Sequence, residues 1–251
     1  MIVIKTAREL EKMQRACTLS ANALKLAGQA VEPGVSTLEI DTIVRKYIEG
    51  QGAKPSFLGY GGFPGSACVS VNNVVIHGIP SKKIILKQGD IVSIDVGAYF
   101  AGYHGDNAYT FPCGDISKEA ENLLSATKES LLQGIKNAVA GNRIGDIASA
   151  VQKYVEDRNY SVVRDFVGHG VGANLHEEPS VPNFGTPHRG VRLIPGMTIA
   201  IEPMINMGDY KVKVLDDEWT TVTVDGSLSA HFEHTIAITP DGPKIMTVAD
   251  I

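Results

Sequence analysis

Four acidic residues stand in surroundings where acids are costly. Asp95 lies inside the β-branched run IVSIDV, Asp106 follows in GYHGD, Glu202 ends MTIAIE, and Glu233 interrupts LSAHFEHTIAIT. Carboxylates held among aliphatic strand residues pair with a cation, take up a proton or bind a metal. No Lys or Arg lies within five residues on either side of Asp95, Glu202 or Glu233, which disfavours a set of separate salt bridges. The stretch FVGHGVGANLHEEP, residues 166–179, adds His169 and His176, seven residues apart across a Gly-rich segment. Four carboxylates and a neutral imidazole suit hard or borderline divalent ions such as Mn, Fe(II), Co or Zn, and two such ions could share carboxylate bridges. A hydrolase that uses metal-activated water is the reaction class this set favours. At this level the residues leave open whether His169, His176 or both hold a metal.

Other chemistries fit less well. HEEPS, at 176–180, lacks the second His of HExxH, so the usual zinc-protease helix is absent. No GxSxG elbow and no P-loop occur, and GYGGFPG at 59–65 is not followed by a helix pattern, which makes it a poor dinucleotide fingerprint. Cys17, Cys68 and Cys113 are odd in number, widely spaced and without CxxC, and are expected to be reduced thiols.

The elements that must position these side chains can be read coarsely. Thr6 is a candidate N-cap for a helix whose Leu10, Met13, Cys17, Leu24 and Ala27 share a face. A second helix comes after EPGVST, with Thr37 as the expected cap, Leu38, Ile40, Ile43, Val44, Tyr47 and Ile48 as apolar positions, and GQG as its end. Residues 69–76 and 91–96 read as strands. Asp95 and Asp106 bracket a hairpin around AGYHGD.

The order of elements then repeats. At an offset of 107 residues, GVSTLEIDTIVRKYIE (34–49) lies over GNRIGDIASAVQKYVE (141–156), and GDIVSID (89–95) over GMTIAIE (196–202), so that Asp95 falls on Glu202. The second hairpin, between Glu202 and Glu233, is 20 residues longer than the first. The period is far too long for a solenoid. Two helix-plus-sheet halves, approximately 1–115 and 116–251, related by an approximate twofold axis, give an α+β fold in which equivalent strands meet near the axis.

Composition bounds the rest. With 251 residues, 43% hydrophobic, the chain can bury a full core. Its 23 Lys plus Arg against 28 Asp plus Glu, with no basic cluster, argue against nucleic-acid binding. The opening MIVIKTARELEKMQR lacks the apolar stretch of a signal peptide, and no run approaches a membrane span. The expectation is a cytoplasmic protein without membrane contact.

Taken together, SVNNVVIHGIP, DVGAYFAGYHGDNAYTF, GHGVGANLHEEP, AIEPM and FEHTIAIT resemble the motifs of type I methionine aminopeptidases in order and spacing, from about residue 3 to 248. The resemblance implies the pita-bread fold as a single catalytic domain and removal of N-terminal methionine from nascent chains when the second residue is small. It implies Asp95, Asp106, His169, Glu202 and Glu233 as ligands of two divalent ions, with Asp106 and Glu233 bridging. Glu202 would also shuttle a proton, and His77 and His176 would be catalytic and substrate-binding histidines. The negative Glu177 and Glu178 would support a partly protonated His176. A slot for the methionine side chain would be walled by Phe57, Tyr60, Phe63, Cys68, Leu175 and Trp219; Leu175 stands where many relatives carry Phe, and Phe57 and Phe63 also differ from familiar versions. Asn72, Val74 and Ser229 match a peripheral Na or K site with backbone oxygens as ligands. His104, His188, His231 and His234 fall outside the functional positions and are read as structural or solvated.

Related readings are less favoured. Pro-dependent dipeptidases of the same fold usually carry an additional N-terminal domain, whereas a short segment precedes Thr6. Non-catalytic relatives lose ligands, and all five are present. A type II enzyme would need a helical insertion for which 169–202 has no room. The expectation is a monomer; the resemblance implies nascent N-termini as partners, with any transient ribosome contact made by the catalytic domain itself.

Overall fold

The computed structural model describes residues 1–250. Thr6 caps α1 (Ala7–Gln29): its hydroxyl accepts the Glu9 N–H while the Glu9 carboxylate accepts the Thr6 N–H at 2.8 Å. This reciprocal box satisfies two otherwise unpartnered donors. Met13, Cys17, Leu24 and Ala27 are buried and Leu10 partly so, as their spacing predicts. In α2 (Thr37–Gly50) the cap is Ser36 and not the expected Thr37. The reason is Glu39, which stands three residues after Ser36 and accepts its N–H at 2.8 Å. The Thr37 hydroxyl instead donates to the Ser81 carbonyl and accepts the Ser81 N–H. Ile40, Val44 and Ile48 are buried, but Leu38 is exposed, because it lies on the far side of the helix from them.

The expected strand over 69–76 is two strands. Ala67–Val71 pairs with Ile91–Phe100, whereas Val74–Ile76 pairs with Thr221–Thr223 in another sheet. The chain changes sheets at Asn72, whose φ of 57° lies in the left-handed region that Asn tolerates better than β-branched residues. Strand Ile91–Phe100 runs past its expected end and returns as Tyr103–Pro112 through Ala101 and Gly102, both at positive φ, the conformation of a two-residue hairpin turn. The second half contributes α3 (Lys118–Asn137), α4 (Ile144–Glu156) and a five-stranded sheet. In that sheet Thr198–Ile201 lies between His234–Thr239 and Gly168–Gly170.

The 107-residue repeat is visible bond by bond. Gly34 N–H bonds to Leu86 O, and Leu86 N–H to Val35 O; in the second half Gly141 N–H bonds to Leu193 O, and Leu193 N–H to Asn142 O. Gly34 and Gly141 share a φ of 97°. Asp146 accepts the N–H of Arg143 as Glu39 does that of Ser36. Helices α1 and α2 pack Leu24, Ile40 and Val44 against Val92 and Ile94. Helices α3 and α4 pack Leu131 and Ile147 against Ile199 and Ile236.

The halves join side by side through Tyr103–Pro112 and the chain around Glu233. Glu233 N–H bonds to Ala108 O at 2.9 Å. Asp106 N–H bonds to the Thr235 hydroxyl, which donates to Asp106 O at 2.7 Å; Thr110 and His231 make the equivalent exchange at 2.8 and 2.9 Å. No helix among the described residues is long and apolar enough to cross a membrane.

Helix α1 reaches this seam only because residue 105 has no side chain, since a Cβ there would lie 2.4 Å from Cys17 Cα. Backbone cannot yield as a flexible side chain can. Gly105→Ala is expected to destabilise the protein by about 2 kcal/mol in urea denaturation; an unchanged midpoint would show that α1 can lift from the hairpin without cost.

Candidate metal centre and substrate cavity

The hairpin places its two acids on one face. Asp95 pairs in register with Ala108 and Asp106 with Gly97, so the carboxylates are diagonal neighbours with small residues opposite each. Gly97 has a second use: a Cβ there would meet the Phe57 ring at 2.8 Å. Glu202 follows strand Thr198–Ile201, Glu233 precedes His234–Thr239, and His169 is the centre of Gly168–Gly170. The structure thus brings all five residues expected at the centre to the junction of the two halves.

Their geometry is that of acceptors without donors. His169 Nε2 lies 3.4 Å from Glu202 Oε1 and 3.8 Å from Asp106 Oδ2. Ligand atoms of Asp106, His169 and Glu233 fall within 4.8 Å of one another, close enough to hold one ion. Oδ1 of Asp95, Oδ1 of Asp106 and Oε1 of Glu233 are buried and accept no hydrogen bond from the described residues. His169 Nδ1 contacts the Gly170 carbonyl at 2.9 Å, which requires the proton on Nδ1 and leaves Nε2 as a lone pair facing the carboxylates.

Electrostatics follow from burial. Desolvation pushes the Asp95 carboxyl up to about 7. Asp106 and Glu233 are raised well above the carboxylate range by burial and by their acidic neighbours, and Glu202 by burial and Asp95. Burial lowers His169 to about 3, so its imidazole is neutral and available as a ligand. The donor set fits divalent cations: clustered carboxylates, three of which keep an oxygen that meets no donor among the described residues, and one neutral nitrogen.

A cavity of about 200 Å³ opens above the acids, lined by residues that include Phe57, Phe63, Cys68, Leu175, His77 and Trp219. It is smaller than the roughly 300–1,000 Å³ of sites for drug-sized ligands, and suits one side chain with its adjoining backbone. Phe63 meets Trp219 edge-on at 5.1 Å, and Phe57, Phe63, Cys68 and Leu175 are buried together. Tyr60 also lines the cavity but is 45% exposed, so it stands at the mouth. His77, at φ 58°, meets Phe166 and Trp219 edge-on, and burial lowers its pKa to about 4.

His176 also stands at the mouth, its ring 4.2 Å from that of His169 and its Nδ1 2.7 Å from the Tyr60 hydroxyl. The expected support from Glu177 is absent. That carboxylate is bonded to Lys5 at 2.6 Å in a buried ion pair, and desolvation lowers the His176 pKa. Both effects favour the neutral ring.

Of the residues expected at a peripheral cation site, Asn72 and Ser229 meet, with Asn72 O accepting the Ser229 N–H at 3.0 Å, and Val74 begins the next strand. Of the remaining histidines, His104 bonds to Ser56, exposed His188 contacts Asp146, and His234 bonds to Thr247. His231 is buried beside the acids, with Nε2 3.8 Å from Glu202 Oε2, which its place in the motifs gave no reason to expect. Phe166, Ile76 and Val167 also line the cavity. Nothing in their types singled them out, although Phe166 and Val167 directly precede the GHG stretch.

Comparison with known proteins agrees with this chemistry. The pattern described as metallopeptidase family M24 matches residues 11–240. The chain is 53% identical over 248 residues to a methionine aminopeptidase of Clostridium perfringens, covering 99% of both chains. It is similar to the crystal structure of methionine aminopeptidase from Thermotoga maritima, with a TM-score of 0.97 and 47% identity over 98% of this chain and 99% of that one. The prolidase of Pyrococcus horikoshii, 24% identical, shares the fold at a TM-score of 0.81, covering 100% of this chain and 65% of that one.

The raised carboxyls make a stability prediction. The metal-free folded chain retains protons that the unfolded chain releases near pH 4. These carboxyls bind more protons folded than unfolded, so their contribution to stability falls as pH rises from about 4 through about 7, where Asp95 ionises; the buried neutral His77 and His169 contribute in the opposite direction below the ordinary histidine value. Above that value the carboxyls dominate, so metal-free protein should unfold at lower urea at about pH 8 than at about pH 7, and loading with a divalent ion should remove that loss. Equal or greater metal-free stability at the higher pH would contradict a cluster of uncompensated buried carboxyls.

Proposed function

The chain belongs to metallopeptidase family M24, and from that premise we propose that it is a methionyl aminopeptidase that trims nascent polypeptides whose second residue is small. One observation carries this reading: buried acceptors without donors form the floor of a cavity sized for a single side chain and walled by Phe57, Phe63, Leu175 and Trp219. Asp95, Asp106, His169, Glu202 and Glu233 would hold two divalent ions, of Mn, Fe(II), Co or Zn. When bound, such ions would supply a water acidified toward neutral pH and a Lewis acid for the lone pair of the substrate's neutral amino group.

The protein's own side chains supply the rest. Glu202 accepts the proton of the attacking water and returns it to the leaving amine. His176, neutral and at the mouth, donates an N–H to the oxygen of the scissile carbonyl, an interaction worth about 3 kcal/mol when made chiefly in the transition state. His77, fixed by Phe166 and Trp219, holds the amide on the leaving side. Phe57, Phe63, Cys68, Leu175 and Trp219 exclude water from the methionine side chain, and Tyr60 borders it. Asn72, Val74 and Ser229 would take Na or K through backbone oxygens. The two halves act as one catalytic domain, working in the cytoplasm on chains leaving the ribosome, with any ribosome contact transient.

The substrate test uses three peptides. Met-Ala-Ser is expected to release methionine, whereas Met-Lys-Ser and an X-Pro dipeptide are not cleaved at a comparable rate. Efficient removal of methionine before lysine would defeat the small-residue rule, and preference for X-Pro would move the chain to the Pro-dependent branch of the fold.

The two histidines of GHGVGANLHEEP separate by role. His169→Ala should lose at least one ion and recover partly at high metal. His176→Ala should retain both ions and lose roughly 10²-fold or more in kcat. Metal analysis and kcat after identical loading distinguish them; metal loss from His176→Ala with full occupancy in His169→Ala would reverse the assignment.

A further inference from the structure

Tyr60 sits in a turn closed by its own backbone: Tyr60 N–H bonds to Phe57 O, Phe63 N–H to Tyr60 O, and Gly59 N–H to Phe63 O. Gly59 and Gly61, at φ 81° and 56°, let the chain bend on both sides of it, and Gly61 lies against Trp219, whose ring a Cβ would meet at 3.3 Å. The turn is thus a fixed part of the cavity wall. It holds the Tyr60 ring 5.2 Å from the His176 ring, and the hydroxyl 2.7 Å from His176 Nδ1.

A neutral imidazole has one N–H and one lone pair, and a partner at one nitrogen decides which is which. A phenol is a good O–H donor, and an imidazole nitrogen is a better acceptor than a phenol oxygen. With the Tyr60 O–H donating to Nδ1, the proton of His176 must reside on Nε2. That is the form able to donate to a substrate oxygen. With the direction reversed, Nε2 would carry a lone pair and repel the oxygen it is to stabilise. Among the described residues no other hydrogen bond of Nδ1 competes, and Glu177, the adjacent acid, is committed to Lys5.

We propose that Tyr60 is a positioning residue that holds His176 in the Nε2–H tautomer, beyond its place in the cavity wall. The inference rests on the role assigned to His176 above, but the tautomer can be observed without any turnover. The experiment compares wild type with Tyr60→Phe, which keeps the ring and removes only the hydroxyl. Histidine-labelled, zinc-loaded protein at about pH 8 is examined by two-bond proton–nitrogen correlation. The expected result is a single His176 tautomer with Nε2 protonated in wild type, and a mixture in Tyr60→Phe. With Met-Ala-Ser, kcat of Tyr60→Phe should fall about 10-fold while KM stays within about twofold and metal content is unchanged.

An Nδ1–H tautomer in wild type would overturn the proposal, as would an unchanged tautomer in Tyr60→Phe. A rise in KM with kcat unchanged would reduce Tyr60 to wall alone and overturn it equally. Wild-type protein with the expected tautomer but no methionine release would instead overturn the peptidase reading and leave the hydrogen bond in place.

Discussion

The structure turns on four carboxylates that no lysine or arginine among the described residues compensates. Three of their oxygens are buried without a donor among the described residues, Asp95 and Glu202 raise the proton affinity of Asp106, and Asp106, Asp95 and Glu202 raise that of Glu233. Such a cluster is tolerable only where the backbone leaves it no alternative. The seam supplies that constraint: hydroxyls of Thr110 and Thr235 lock the backbones at His231 and Asp106, so the acids cannot separate to relieve repulsion. The same rigidity that makes the metal-free cluster unfavourable makes it ready for cations, because the donor atoms need little rearrangement to bind.

The repeat explains why the acids converge. Two copies of a helix-capped, sheet-forming unit place equivalent strand ends at a common junction, and Asp95 and Glu202 occupy equivalent positions 107 residues apart. Beyond those two acids the copies diverge. The first hairpin turns in two residues, whereas the second encloses a longer excursion carrying Trp219 and the strands Val212–Val214 and Thr221–Thr223. That excursion reaches across to pair with Val74–Ile76 of the first half. One half therefore contributes Phe57, Phe63 and Cys68 to the cavity, and the other Leu175 and Trp219.

Much of this is legible in the sequence because it depends on residue type and spacing. An acid within a β-branched run, at the same place in two copies, marks a buried charge whatever the details of packing. The α2 cap falls one residue before its expected place because Ser36 and Thr37 are both acceptable, and only Glu39 three residues after Ser36 decides between them. Residues 69–76 read as one continuous strand because Val, Ser and Ile surround Asn72 and Asn73, and a sheet change there depends on a partner about 150 residues away. Lys5 is invisible for a related reason: its bond to Glu177 spans 172 residues, and without it the two acids after His176 look like free charge. His231 beside Glu202 likewise needs the pairing of Met204 with His231, which no local pattern encodes.

His77 shows how backbone strain aims a side chain. It follows strand Val74–Ile76 with φ 58°, a conformation that histidine adopts more readily than β-branched residues but still at a cost. The next residue explains the bend. Gly78 N–H bonds to Ser70 Oγ, its carbonyl accepts the Val69 N–H, and a Cβ on it would lie 2.3 Å from Val69 O. The chain must therefore leave one sheet and press against a strand of another within two residues. His77 absorbs that turn, and its ring meets the edges of Phe166 and Trp219 at the cavity wall instead of continuing the alternation of the strand. A residue free of that crossing could relax to an extended conformation, and its imidazole would then leave the cavity.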